Sequence, residues 1–223
     1  VILCLVTDRR RLGATVGARP EEFVDVLHEQ VSAAAEVALD FVQIREPDLE
    51  ARALTGLVRS LLARCHGSPT RILVNDRADI AIAAGAHGVH LKERSIAPEE
   101  VRRLAPGALL VSCAVHTPLT AAARHSADLL VAGTVLPTVS KSATEYLEWK
   151  GLQQVVVTAK GTPVLGIGGL DLASVPLLVA SGAAGLAGIG AFIPPPGNQA
   201  VAEFVKKRVA DMRFVFDSAP TGP

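Results

Sequence analysis

Apolar residues in this chain come in short unbroken runs that stop abruptly at polar or charged residues. Ile2-Leu3-Cys4-Leu5-Val6 stops at Thr7-Asp8, Phe41-Val42-Gln43-Ile44 at Arg45-Glu46, and Ile72-Leu73-Val74 at Asn75-Asp76-Arg77. The same pattern returns at Gly88 to Leu91, Leu109 to Val115, Leu129 to Gly133, Pro163 to Gly169 and Gly185 to Gly190. Continuous rather than alternating apolar runs mark strands buried on both faces of a parallel sheet. Between them lie helix-like stretches at Pro20 to Leu39, Leu49 to Arg64, Ala78 to Ala84, Pro98 to Leu104, Pro118 to His125, Leu152 to Thr158, Leu172 to Ala180 and about Gln199 to Met212. Pro20 with Glu21 and Glu22 makes a good helix start, because proline tolerates the first turn and acids suit its positive end. Residues 9–19 read as a polar stretch without an element. Eight strand–helix units predict an α/β chain folded as a single (β/α)8 TIM barrel, with a doubly wound open sheet as the runner-up. With no break in composition, residues 1–216 read as one domain and residues 217–223 as a flexible tail.

Composition narrows the classes of partner. The 223 residues are 49% hydrophobic but only 4% aromatic, which suits close helix-on-strand packing better than an aromatic binding platform. Lys+Arg and Asp+Glu balance at 22 each, so no basic footprint for nucleic acid or an anionic membrane is present. Charged residues or prolines interrupt every apolar run before it reaches bilayer length. Cys4, Cys65 and Cys113 stand far apart with no CxxC pair. That excludes a sequence-evident zinc site and points to a reducing, cytoplasmic location. The apolar N-terminal run lacks the basic flank and cleavage site of a signal peptide. A homo-oligomer is left open, since nothing identifies an interface.

In such a barrel, chemistry sits at the carboxyl ends of the strands. The polar residues there are Thr7 and Asp8, Gln43 and Arg45, Asn75 to Arg77, His90, Ser112 to His116, Thr138 to Lys141, and the glycine clusters around Gly168 and Gly190. Asp8 reads equally well as a helix cap, and Arg45-Glu46 as a surface ion pair. Gly166-Ile167-Gly168-Gly169 and Gly188-Ile189-Gly190 close the last two strands, where backbone N–H groups and a following helix N-terminus can receive a phosphate. The hydroxyls and ammonium of Pro137-Thr138-Val139-Ser140-Lys141-Ser142 can hold phosphate or pyrophosphate opposite. His116 is placed to relay a proton near neutral pH. His90, inside its strand, reads as packed and hydrogen-bonded. A small phosphorylated substrate is indicated; a dinucleotide is not, because neither GxGxxG in its proper place nor a Walker sequence occurs.

Taken in order, Leu5-Val6-Thr7-Asp8, Gln43-Ile44-Arg45-Glu46, Val74-Asn75-Asp76-Arg77, Gly88-Val89-His90-Leu91, His116-Thr117, Pro137 to Lys141 and Gly166 to Gly169 resemble the thiamine phosphate synthase/TenI superfamily, from Leu3 to about Phe192. The resemblance implies a (β/α)8 barrel and one of two activities. In the synthase branch, hydroxymethylpyrimidine diphosphate is joined to thiazole phosphate with Mg²⁺ and release of pyrophosphate. Arg45, Asn75 and Lys141 would then contact the diphosphate, Asp76 would bind the metal, and Thr138, Ser140, Gly168 and Gly169 would hold the thiazole phosphate. In the TenI-like branch, a thiazole tautomerase needing no cofactor, His116 relays the proton. Arg45 and the backbone around Gly168, Ile189 and Gly190 hold carboxylate and phosphate.

Four positions depart from the synthase pattern. Pro47 replaces a lysine, Ser95 the second metal-binding aspartate (with Glu93 near), Ala114 a serine, and Gly190 a phosphate-holding serine. Each lost charged hydrogen bond is worth about 1.5–3 kcal/mol. The first expectation is therefore the tautomerase, the alternative is the synthase, and a non-catalytic binder of a phosphorylated ligand is the third reading.

Overall fold

The computed structural model describes residues 1–105, 107, 109–138, 146–198 and 200–219. In chain order the elements are β1 (Ile2–Val6), α1 (Arg9–Val16), α2 (Phe23–Glu36), β2 (Phe41–Ile44), α3 (Ala51–Arg64), β3 (Arg71–Asn75), α4 (Ala78–Ala84), β4 (Gly88–Leu91) and α5 (Pro98–Leu104). There follow β5 (Leu110–Val115), α6 (Pro118–Ala123), β6 (Leu129–Gly133), α7 (Glu148–Thr158), β7 (Val164–Ile167), α8 (Val175–Ala180), β8 (Gly185–Gly188) and α9 (Val201–Ser218). The strands pair in parallel in sequence order and close, β8 returning to β1 with Ile2 opposite Gly185 and Leu5 opposite Gly188. The chain is a (β/α)8 barrel.

Both faces of each strand are buried, which is why the runs are unbroken. Leu3 and Leu5 join the large core under the helices, with Leu27 and Val31 of α2 and Val58 and Leu61 of α3. Their neighbours Cys4 and Val6 join a second cluster inside the barrel with Leu129, Val131, Leu165 and Ala187. Each large aliphatic side chain so buried contributes roughly 1.5–3 kcal/mol. The register carries the inward parity up to the mouth, pairing Val6 with Gln43, Asn75 with His90, and Ala114 with Val131.

Several boundaries differ from the sequence reading. The stretch after Asp8 is a helix, α1, with the Asp8 side chain accepting from the Arg11 N–H at 3.0 Å; the capping reading of Asp8 holds. Its arginine-rich start looked solvated, yet Arg9 is buried, with its guanidinium 2.8 Å from Glu46 and 2.6 Å from Asp48. Pro20–Glu22 is a single 3-10 turn, and α2 starts only at Phe23. The last helix runs past Met212 to Ser218, so Asp217 and Ser218 belong to α9 and not to a tail. The cause is packing: Val215 and Phe216 lie against the core, and Arg213 donates to the carbonyls of Val37 at 3.0 Å and Ala38 at 2.7 Å. Residues 220–223 lie outside the described residues. Cys4, Cys65 and Cys113 are free and buried, and burial pushes the Cys4 thiol up to about 12. Among the described residues, no helix is long and apolar enough to cross a membrane.

Candidate active site

A cavity of about 780 Å³ opens at the carboxyl ends of the strands. Gln43, Arg45, Asn75, His116, Thr138, Gly168, Gly169, Ile189 and Gly190 all line it, so residues scattered over the sequence meet at one mouth. Ser140 and Lys141, with the rest of 139–145, lie outside the described residues.

On the β2–β4 side the site is made of side chains. The Arg45 N–H donates to Thr7 Oγ1 at 2.9 Å, which fixes the end of β2, and Asn75 Nδ2 donates to the buried Gln43 Oε1 at 3.3 Å. Glu46 is no surface partner of Arg45. It is buried and accepts from Arg9 Nη1 at 2.8 Å and the Arg9 N–H at 3.1 Å. Burial pushes its carboxyl up, against the hydrogen bonds from Thr7 and Arg9. His90 is buried with Nδ1 3.0 Å from Ser112 Oγ, and burial pushes its imidazole down to about 4, so it is neutral at physiological pH.

Asp76 takes the left-handed backbone conformation, φ 60°, and its N–H donates to the His90 carbonyl at 2.7 Å. Lys92 Nζ stands 3.2 Å from Asp76 Oδ2, while Oδ1 accepts from Ser95 Oγ and from the Lys92 N–H at 3.4 Å. Partial burial pushes this carboxyl up, but the hydrogen bonds from Ser95 and Lys92 outweigh it and hold the group below the usual range. Lys92 lines the cavity and Asp76 sits behind it. Arg124 secures this loop from below, donating to the carbonyls of Glu93 at 2.6 Å, Ser95 at 3.2 Å and Ile96 at 3.0 Å.

Among the described residues, no group of three or more His, Cys, Asp and Glu is arranged to hold a metal ion. Magnesium needs oxygen ligands in near-octahedral array, whereas both Asp76 oxygens are already engaged, one of them by a cation. The residues present do not fit a divalent ion at Asp76. Arg77, expected at the substrate, is half-buried outside the cavity lining and pairs with Asp79 at 2.9 and 2.6 Å. Two residues separate that pair, so local pairing holds Arg77 outside.

His116 donates from Nδ1 to the Gly133 carbonyl, which can only accept, so its neutral form presents an unprotonated Nε2. That nitrogen lies 3.7 Å from Glu93 Oε2.

On the β6–β8 side the site is made of main chain. Gly168 and Gly169 have φ of 99° and 67°, and a Cβ on Gly169 would lie 2.5 Å from the Pro137 carbonyl oxygen. Only glycine fits there. The turn after β7 does not offer an open helix N-terminus, because Asp171 caps it by accepting from the Ser174 N–H at 3.1 Å. Beyond β8, a Cβ on Gly190 would come 2.9 Å from an Arg11 guanidinium nitrogen, so Arg11 of α1 occupies the space that a larger residue would fill. Arg11 and Lys92 both line the cavity and were missed in the sequence. Arg11 lay in a stretch read as having no element; Lys92 follows Leu91 at the end of a recognised strand, which was signal enough.

The model of the thiamine monophosphate synthase family matches residues 5–192. A Geobacter sulfurreducens protein provisionally named as a thiamine-phosphate synthase is 40% identical over 199 residues, covering 87% of each chain. The thiamine-phosphate synthase of Roseiflexus castenholzii is 33% identical over 202 residues, 89% of this chain and 84% of that one. Among solved structures, thiamine phosphate pyrophosphorylase from Pyrococcus furiosus superposes with a TM-score of 0.77 at 25% identity, covering 96% of both chains.

Proposed function

Because this chain belongs to the thiamine monophosphate synthase family, we propose that it joins hydroxymethylpyrimidine diphosphate to thiazole phosphate, giving thiamine phosphate and pyrophosphate. The relatives' names favour this reaction over the tautomerase that the sequence put first. They are names of enzymes, which weighs against a non-catalytic binder. The observation that carries the reading is the shared cavity, with a cationic rim on one side and a glycine backbone on the other.

The C–O bond to the diphosphate breaks and its electron pair leaves with pyrophosphate. The thiazole nitrogen lone pair then forms the new C–N bond. No proton need move, so the site's task is to hold two anions and receive leaving-group charge. Arg45 and Asn75 serve the diphosphate. Thr138, the Gly168-Gly169 backbone and Arg11 beside Gly190 serve the thiazole phosphate. The unpaired, buried thiols suit a reducing compartment, and the cytoplasm is the proposed location.

The test is thiamine phosphate formation by the full chain, read by thiochrome fluorescence. Multiple turnovers support the reading; no product, beside a working synthase, defeats it. A second reading, the tautomerase, is favoured by one observation: His116 lines the cavity with its Nδ1 held by the Gly133 carbonyl and its Nε2 3.7 Å from Glu93 Oε2. General acid–base groups contribute about 10²–10⁴-fold. His116→Ala should therefore abolish thiazole tautomer exchange if that reading holds, and change coupling by less than about tenfold if the joining reaction holds.

A further inference from the structure

Asp76 stands where the family resemblance places a metal ligand, yet its surroundings are those of an anchored ammonium. Lys92 Nζ is 3.2 Å from Oδ2, Ser95 Oγ and the Lys92 N–H occupy Oδ1, and Lys92 rather than Asp76 lines the cavity. A divalent ion at the same carboxylate would have to displace that ammonium or sit against it, and like charges at such a distance repel strongly. The loop carrying Lys92 is held through three backbone carbonyls by Arg124, and Asp76 meets the ammonium itself at 3.2 Å.

We propose that Lys92 is the resident cation of this site: its ammonium binds the diphosphate end of the ligand directly, Asp76 and Ser95 position it, and anion binding there needs no divalent metal. Lysine is suited to this as a compact point charge with several donors to phosphate oxygens. Asp76 then acts through Lys92 as a positioning residue. Only the expectation that a diphosphate is the ligand rests on the joining reaction proposed above.

The experiment is isothermal titration of the full chain with sodium pyrophosphate in EDTA, with thermal melting as the check on folding. The wild type is expected to bind. Lys92→Met and Lys92→Gln should each weaken binding by about ten- to a hundredfold at an unchanged melting temperature, and Lys92→Arg should retain most of it. Equal affinity in Lys92→Met and wild type overturns the proposal. So does a wild type that binds pyrophosphate only when Mg²⁺ is supplied. Manganese titration of the ligand-free chain, followed by electron paramagnetic resonance, gives a second readout: the wild type should leave the ion free, and tight binding counts against Lys92. A chain that makes no thiamine phosphate but binds pyrophosphate through Lys92 defeats the joining reaction and supports the cation. Turnover that requires Mg²⁺ and is indifferent to Lys92→Met defeats the cation alone.

Discussion

The two sides of the barrel mouth bind by different means. On the β2–β4 side, Arg45, Asn75, Lys92 and Glu93 line the cavity; Arg45 is anchored through its backbone N–H, and the side chains of Asn75, Lys92 and Glu93 meet partners. On the β6–β8 side, Gly168, Gly169 and Gly190 offer main chain, and bulk is what must be kept out. A side-chain surface can change its chemistry by single substitutions while its backbone stays put. At Gly169 a glycine surface cannot, because an added carbon collides with the Pro137 carbonyl. The first side departs from the synthase pattern at Pro47 and Ser95; on the second, Gly190 is itself a departure, and the Gly166-to-Gly169 run persists.

The glycine side breaks most severely. Gly169→Val forces a β-branched residue to φ 67° and into the Pro137 carbonyl and Leu136. The expected loss is about 3 kcal/mol or more in urea unfolding, from backbone strain and overpacking together. A loss below about 1 kcal/mol would mean the two sides do not differ as described.

Next comes the buried imidazole under the side-chain half. The folded value of His90, about 4, lies below the ordinary value near 6.5, so the unfolded chain binds the proton first. Its contribution is fully present above pH 6.5 and is lost as pH falls from 6.5 through 4. Between pH 7 and 4 the wild type should lose about 3 kcal/mol more stability than His90→Gln, measured by unfolding at each pH. Parallel curves would remove the buried, neutral histidine from this side.

The smallest effect marks the edge of the site. Arg77→Ala should change stability by less than about 0.5 kcal/mol and leave turnover unchanged, because the residue only pairs with exposed Asp79. A tenfold fall in turnover would extend the cationic rim to Arg77.

This contrast also explains what could be read without coordinates. The barrel was legible because double-sided burial writes itself as unbroken apolar runs, and the glycine side because Gly166-Ile167-Gly168-Gly169 closes one of them. The charged side was legible only in part. Arg9 looks solvated until Glu46 and Asp48, far along the chain, come to meet it, and with it α1 and Arg11 went unread. The resemblance gave Asp76 a metal-binding role in the synthase branch, and nothing in its own stretch reveals that Lys92 folds back onto it. Such pairings cross from one strand end to the next, and local pattern carries no trace of them. The end of α9 was misplaced for a related reason, since Phe216 acquires its packing partners only in the folded barrel.

Arg124 gives the loop after β4 a property beyond rigidity. It grips the backbone of Glu93, Ser95 and Ile96 through carbonyl oxygens alone, indifferent to which side chains those residues carry. The loop is thus a socket whose pins are interchangeable: descent or design can exchange Lys92, Glu93 or Ser95 for other groups without rebuilding the frame that presents them.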